Sequence, residues 1–201
     1  ATPVTLGIPG GDDPIDGPAR TAFEVDESLG TDPDPALALA GVVAGGAAPG
    51  AVPTLADEFE RRAGIAAPTT DLADALAHTT FTHAEYSGDP EAAAGIVADV
   101  GEADTARRVA SVLAIDAVTA DGATDRAAQT VDRSIHPHAG GPLETVEGLA
   151  DVLNALAVEA PGQAIAVALG ADGEPALDGW RQHARAVHAG VRDADTERHA
   201  G

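Results

Sequence analysis

Residues 131–170 read VDRSIHPHAGGPLETVEGLADVLNALAVEAPGQAIAVALG, and no other stretch carries as many locally consistent signals. It opens as a polar loop with His136 and His138 on either side of a proline. From Gly141 to Glu159 the pattern is that of a capped amphipathic helix. Gly141 can cap it, Pro142 can take the first position, and Glu144 falls at the third. Val146, Leu149, Ala150, Leu153 and Leu156 share one face at helical spacing, with Asn154 at its edge. Pro161-Gly162 then stops the helix, and Ala164–Leu169 is apolar throughout, as a strand buried on both faces would be. A second helix over Pro175–Val191 repeats Leu177, Trp180, Ala184, Val187 and Val191 at spacings of three and four. Helix, strand, helix predicts an α/β unit.

Upstream, helical patterns dominate. A short strand is expected at Val4–Ile8, and helices over Pro18–Leu29, Ala36–Ala44, Thr54–Ala63, Asp71–His78, Pro90–Val100, Asp104–Val118 and Thr124–Ser134. The segment Ala36–Ala44 is apolar nearly all round, so it belongs inside a larger body. The passage HTTFTHAEYSGDP gathers His78, His83, Phe81 and Tyr86 in one irregular loop. Such a loop is either a binding loop or one whose aromatics plug into a core, and we favour the core plug. The fold class is therefore a helix-rich α/β protein.

Acidic residues outnumber basic ones 33 to 11, giving a formal net charge of −22, and every basic residue is arginine. Aromatic residues make up 2% of the chain, and cysteine and methionine are absent. An acidic, aromatic-poor chain can be disordered. Here 44% hydrophobic residues in helical periodicity argue for a packed fold. We read the charge as adaptation to molar salt, the haloarchaeal habitat: at about 1 M the Debye length is roughly 3 Å, which screens self-repulsion. Acidity normally argues against nucleic-acid binding, but counterion release is weak in molar salt for any protein. The charge thus neither supports nor excludes a nucleic-acid partner. Apolar runs fall short of the ~18 residues of a membrane span, and no basic leader precedes them. A cytoplasmic location is the default.

Candidate chemistry is sparse. The cluster Asp12, Asp13 and Asp16 lacks the glycine-and-glutamate frame of a calcium loop. Seven histidines include no HExxH frame, and no cysteine exists to complete a zinc site. There is no P-loop, GxGxxG or GxSxG. Arg107 and Arg108 lie near a helix N-terminus, where the macrodipole disfavours cations. An anion must offset them, either a bound phosphate or, more simply, an Asp or Glu of the chain.

Several blocks, in order, resemble the RecJ-like single-strand-specific exonucleases of archaea, members of the DHH phosphoesterase superfamily. ARTAFEVDESLG followed by PALALAGVVAGG resembles the helices that close the DHH domain. AHTTFTHAEYSGDPEAAAGIVADVGE, then RRVASVLAIDAV, resembles the helical connecting region. GGPLETVEGLADVLNALAVEAPGQAIAVALG, with Leu153-Asn154-Ala155 as its signature, resembles the start of the DHH-associated C-terminal domain. The resemblance runs over roughly Ala19–Val191. It implies the end of a DHH-like domain in residues 1–50, a helical connecting region in 51–135, and the beginning of the DHH-associated α/β domain in 136–201.

The family hydrolyses phosphodiesters with Mn or Mg held by carboxylates and histidines. Its aspartate-rich motifs and DHH triplet would lie upstream of Ala19, and none is in this chain. Gly45 stands where the family's last metal-binding aspartate would be, and Ala157-Val158 replaces the Gly-Arg that usually follows the asparagine signature. We therefore expect no catalytic residue and no metal ligand here. The expected role is a non-catalytic or incomplete module that contacts single-stranded DNA, or a GINS-like replisome partner. Arg107, Arg108, Arg133, His136, His138 and Asn154 are the candidate nucleic-acid contacts. The alternatives are an active exonuclease completed by an upstream segment, and an unrelated acidic helical scaffold.

Overall fold

A computed structural model describes residues 17–101, 103–119, 131–132 and 134–199. The expected strand at Val4–Ile8, the aspartates at 12, 13 and 16, most of the helix over 124–134, and Arg133 lie outside them. The described chain is helix-rich. Helix α1 spans Pro18–Ser28, α2 Pro35–Ala44, α3 Pro53–Ala56, α4 Leu72–His78, α5 Pro90–Val100 and α6 Thr105–Thr119. After them come α7 at Val146–Glu159, α8 at Pro161–Ala168 and α9 at Leu177–His199.

Aspartate and proline set the starts. Asp34, Asp71 and Asp89 each accept hydrogen bonds from two backbone N–H groups of the first turn of α2, α4 and α5. Pro35 and Pro90 follow in the position where a missing N–H costs nothing. Past the end of α1, Gly30 adopts φ 76°, the left-handed stop that glycine favours.

Two hydrophobic clusters form the interior. The larger joins α2, α3 and α7 with Val167 of α8 and Leu177 and Trp180 of α9. Helix α2 buries Ala36, Ala38, Leu39, Ala40, Val42 and Val43, so its all-round apolarity reflects a central position. The smaller cluster joins Ile65 and Ala67 to Leu76 of α4, Tyr86, Ala93 of α5, and Val109 and Leu113 of α6. Each fully buried leucine contributes about 1.5–3 kcal/mol, while the many alanines contribute through close helix approach.

Three expectations need correcting. Ala164–Leu169 is not a strand: residues 164–168 belong to α8, with Pro161 at the first helical position, and Leu169 caps its end. Pro161 starts a helix where we read a stop. Nor is the run buried on both faces, since Ile165 is 62% and Leu169 82% exposed. The only sheet among the described residues has two strands, β1 at Glu60–Arg61 and β2 at His138–Ala139, paired antiparallel with Arg61 opposite His138. No helix–strand–helix unit stands at residues 141–191.

The helix expected over Thr54–Ala63 ends at Ala56. Beyond it the backbone turns away to pair with the segment before α7, through Arg62 N–H to the Pro137 carbonyl at 3.2 Å and Ala66 N–H to the Ser134 carbonyl at 2.8 Å. Distant pairing overrides local periodicity there. The long helix begins at Val146, capped by Thr145, whose hydroxyl accepts from Gly148 N–H. Gly140 and Gly141, at φ 112° and 94°, lie in a turn outside it.

The loop after α4 is a core plug. His78 and Tyr86 are buried, and Phe81 packs partly against the larger cluster. Thr80 donates to Asp151 from both its backbone N–H (3.1 Å) and its hydroxyl. The Thr79 carbonyl accepts from His188 Nε2 at 3.1 Å. A carbonyl can only accept, so Nε2 carries the proton, and Nδ1 of neutral His188 accepts from His83 Nδ1–H at 3.0 Å.

Burial, with His83, Arg192 and His78 nearby, pushes the His188 pKa down to about 4. The unfolded chain takes up that proton below about 6.5 while the folded chain resists it. Stability held above pH 6.5 is therefore lost as pH falls through the window to about 4, on the order of 3 kcal/mol. Because burial is the largest cause, molar salt should not erase the effect. Denaturation midpoints from pH 7 to 4 in molar KCl should fall for the wild type and flatten for His188→Gln. Equal slopes would refute the assignment.

Candidate functional site

The short sheet places the candidate site. Arg61 on β1 donates from Nε to the His136 carbonyl at 3.0 Å and pairs with Asp132 through Nη2 at 3.1 Å. His136 Nδ1 meets the other Asp132 oxygen at 3.3 Å. Partial burial raises the pKa of the Asp132 carboxyl, but Arg61 and His136 outweigh it and hold the group below its usual range. Arg62, next along, pairs with Glu144.

Across the surface, Arg107 projects from the first turns of α6, exposed, with Asp104 at 3.9 Å. Arg107 and His136 line one shallow cavity of about 280 Å³ together with Ala63. Arg62 lines a neighbouring cavity of about 290 Å³ that shares Ala63. Three arginines and an exposed histidine are thus gathered around residues 61–63.

Of the expected contacts, Arg107 and His136 are brought together. Arg108 is engaged elsewhere, its Nη1 donating to the Val100 carbonyl at 2.8 Å and closing the end of α5. Its offsetting acceptor is a backbone oxygen, while that of Arg107 is Asp104 of the chain itself. Asn154 is exposed on α7, seven residues or ~10 Å of helix beyond Glu147.

His138 is buried and held twice by Glu147, which accepts from His138 Nδ1 at 2.7 Å and from its backbone N–H at 2.9 Å. Glu147 itself is fully buried in the first turn of α7. Engaging Nδ1 leaves Nε2 as the ring's remaining nitrogen. Both residues line a cavity of about 340 Å³ beneath Arg61, with Phe59 and Pro49 on its apolar side.

Sequence reading missed Arg61, Arg62 and Glu147. The first two carried a signal: Arg61-Arg62 repeats the adjacent pair Arg107-Arg108 in a chain with 11 arginines. Glu147 carried none, being one of 33 acids.

A second polar network ties α4, α7 and α9 together. Arg181 grips Asp74 by Nε at 3.0 Å and Nη2 at 2.8 Å, and His78 Nδ1 meets Asp74 at 2.9 Å. Burial raises the Asp74 pKa, yet His78 and Arg181 outweigh it and bring the carboxyl down to about 2. Asp151, wholly buried, accepts from Trp180 Nε1 at 2.8 Å and from Thr80. The hydrogen bonds of this network all run to other parts of the chain, with the buried His78 Nε2 left without a hydrogen-bond partner, and we read the network as structural. Among the described residues no three His, Asp or Glu come together in a group that could hold a metal ion. No helix among them is long and apolar enough to cross a membrane.

No protein-family description matches the chain, and no solved structure matches it. The chain is 48% identical over 194 residues to an uncharacterized protein of Haloarcula marismortui. The match takes in 91% of this chain and 52% of that protein, so the chain spans about half the length of the curated relative it matches. A haloarchaeal relative is consistent with reading the charge as adaptation to molar salt.

Proposed function

We propose that this chain is a non-catalytic module of the RecJ-like lineage that binds single-stranded DNA across the Arg61–Arg62–Arg107–His136 face. The observation that carries the reading is this gathering of cations in a chain whose acids outnumber its arginines threefold. Each arginine has a carboxylate within reach, so an incoming phosphate exchanges partners with an acid that molar salt already screens. A GINS-like partner of the same face is the companion expectation from the resemblance. Mn or Mg would serve active relatives. In this chain Gly45, the helix-capping residue after α2, has no side chain to hold one.

A second reading, an acidic helical scaffold outside that lineage, has one specific observation in its favour. Residues 161–168 form a helix where the apolar run led us to expect the strand of an α/β unit.

Anisotropy of a labelled single strand in molar KCl separates these readings. The wild type should bind, and the double variant Arg61→Ala, Arg107→Ala should weaken binding evenly across sequences and reduce the salt slope by ~2. No binding by the wild type would favour the scaffold. Manganese-dependent release of nucleotides by this chain alone would overturn the non-catalytic assignment.

A further inference from the structure

The cavity beneath Arg61 is not needed to hold a backbone phosphate, and its lining has a different chemistry from the face around it. Its apolar lining includes Pro49, Pro53 and the ring of Phe59. Its polar lining is Asp57, Asp132, Glu147 and His138, the last fixed by Glu147, with Arg61 as the cation. At about 340 Å³ it lies at the small end of the ~300–1,000 Å³ found for ligand pockets. Arg61 belongs to both the face and the cavity wall.

We propose that this cavity receives one unpaired nucleobase of the bound strand, stacked on Phe59 and met at its edge by His138 and Asp57. The inference rests on the single-strand reading above and adds to it the site where a base, rather than a phosphate, is held. An aromatic ring gives a platform that every base can use. His138, buried and held by Glu147, discriminates between edges, because a base that leaves a buried polar group unpaired is penalised. The Nδ1–Glu147 bond fixes the imidazole, so Nε2 is presented in one orientation. The Asp57 carboxylate accepts and cannot donate, so it pairs with a base edge that offers a donor, such as the exocyclic amine of cytosine.

The test compares two labelled strands in molar KCl: an oligo-dC and the same backbone with abasic sites throughout. Ala48 lines the cavity from an exposed position, and Ala48→Phe should fill it while leaving every arginine of the face in place in the sequence. The wild type should bind oligo-dC at least about fivefold more tightly than the abasic strand, and Ala48→Phe should remove that difference. Equal binding of both strands by the wild type would overturn the base pocket while leaving the phosphate-binding face intact. Binding of neither strand would overturn the single-strand reading itself, and the pocket's occupant with it. A normal melting curve for Ala48→Phe establishes that a lost preference is not unfolding. The wild-type comparison stands even if that variant fails to fold.

Discussion

Gly148→Ala is expected to destabilise the protein by about 3 kcal/mol, although the same change in an exposed helix would stabilise it by up to ~1 kcal/mol. A Cβ on Gly148 would lie 2.2 Å from the Ala67 carbonyl carbon and 2.3 Å from both its oxygen and the Pro68 nitrogen. These are backbone atoms with no rotamer to give way, and Thr145 fixes them further by donating to the Ala67 carbonyl at 2.8 Å. Relief would require α7 to move off the 67–68 segment, opening both hydrophobic clusters. Gly95→Ala in α5 is the control: nothing lies within 4 Å of its Cβ, so propensity alone should act and stability should rise. Denaturation of both variants in molar KCl decides the matter. A Gly148→Ala protein as stable as the wild type would mean that α7 does not approach so closely.

The second large effect is at Asp151. Asp151→Ala should lower stability by about 3–5 kcal/mol, because Trp180 Nε1–H and Thr80 N–H would lose their buried acceptor. Asp151→Asn keeps one acceptor oxygen and should cost less, and Ala no worse than Asn would refute the role. Burial raises the Asp151 pKa although Thr80 and Trp180 oppose it. Since the folded value lies above the unfolded one, this group favours the fold below its ordinary pKa and loses that contribution as pH rises. His188, Asp74 and Asp132 act in the opposite sense. Among the described residues, acid unfolding of the wild type thus sets three losses against one gain, and Asp151→Asn should expose the losses undiminished.

Local chemistry made the helix starts readable. Asp34-Pro35 and Asp89-Pro90 each announce a helix through a side-chain acceptor followed by a residue that lacks a donor, and the structure uses both so. The error at Ala164–Leu169 came from length and composition. Six small or branched apolar residues satisfy a buried strand and a short helix equally, and periodicity cannot arbitrate. Pro161-Gly162 looked like punctuation because proline both ends and begins helices.

What could not be read is what depends on partners far along the chain. Arg61 and Asp132 are 71 residues apart, and Asp74 and Arg181 are 107 apart. No local pattern selects those acids from the 33 in the chain. The candidate face was half legible: Arg107 and His136 stood out as types, whereas the β1 turn that brings Arg61 and Arg62 beside them arises only from pairing with β2.

Trp180 lies in the larger cluster, its indole N–H on Asp151 of α7 and its ring edge-on to His78 of α4 at 5.6 Å between centroids. It is also the only tryptophan in the chain. Intrinsic fluorescence therefore reports on a single known environment. Emission from that indole reads the seam between the α4 and α7 elements, so loosening of the seam can be told from melting of the helices, which circular dichroism follows separately.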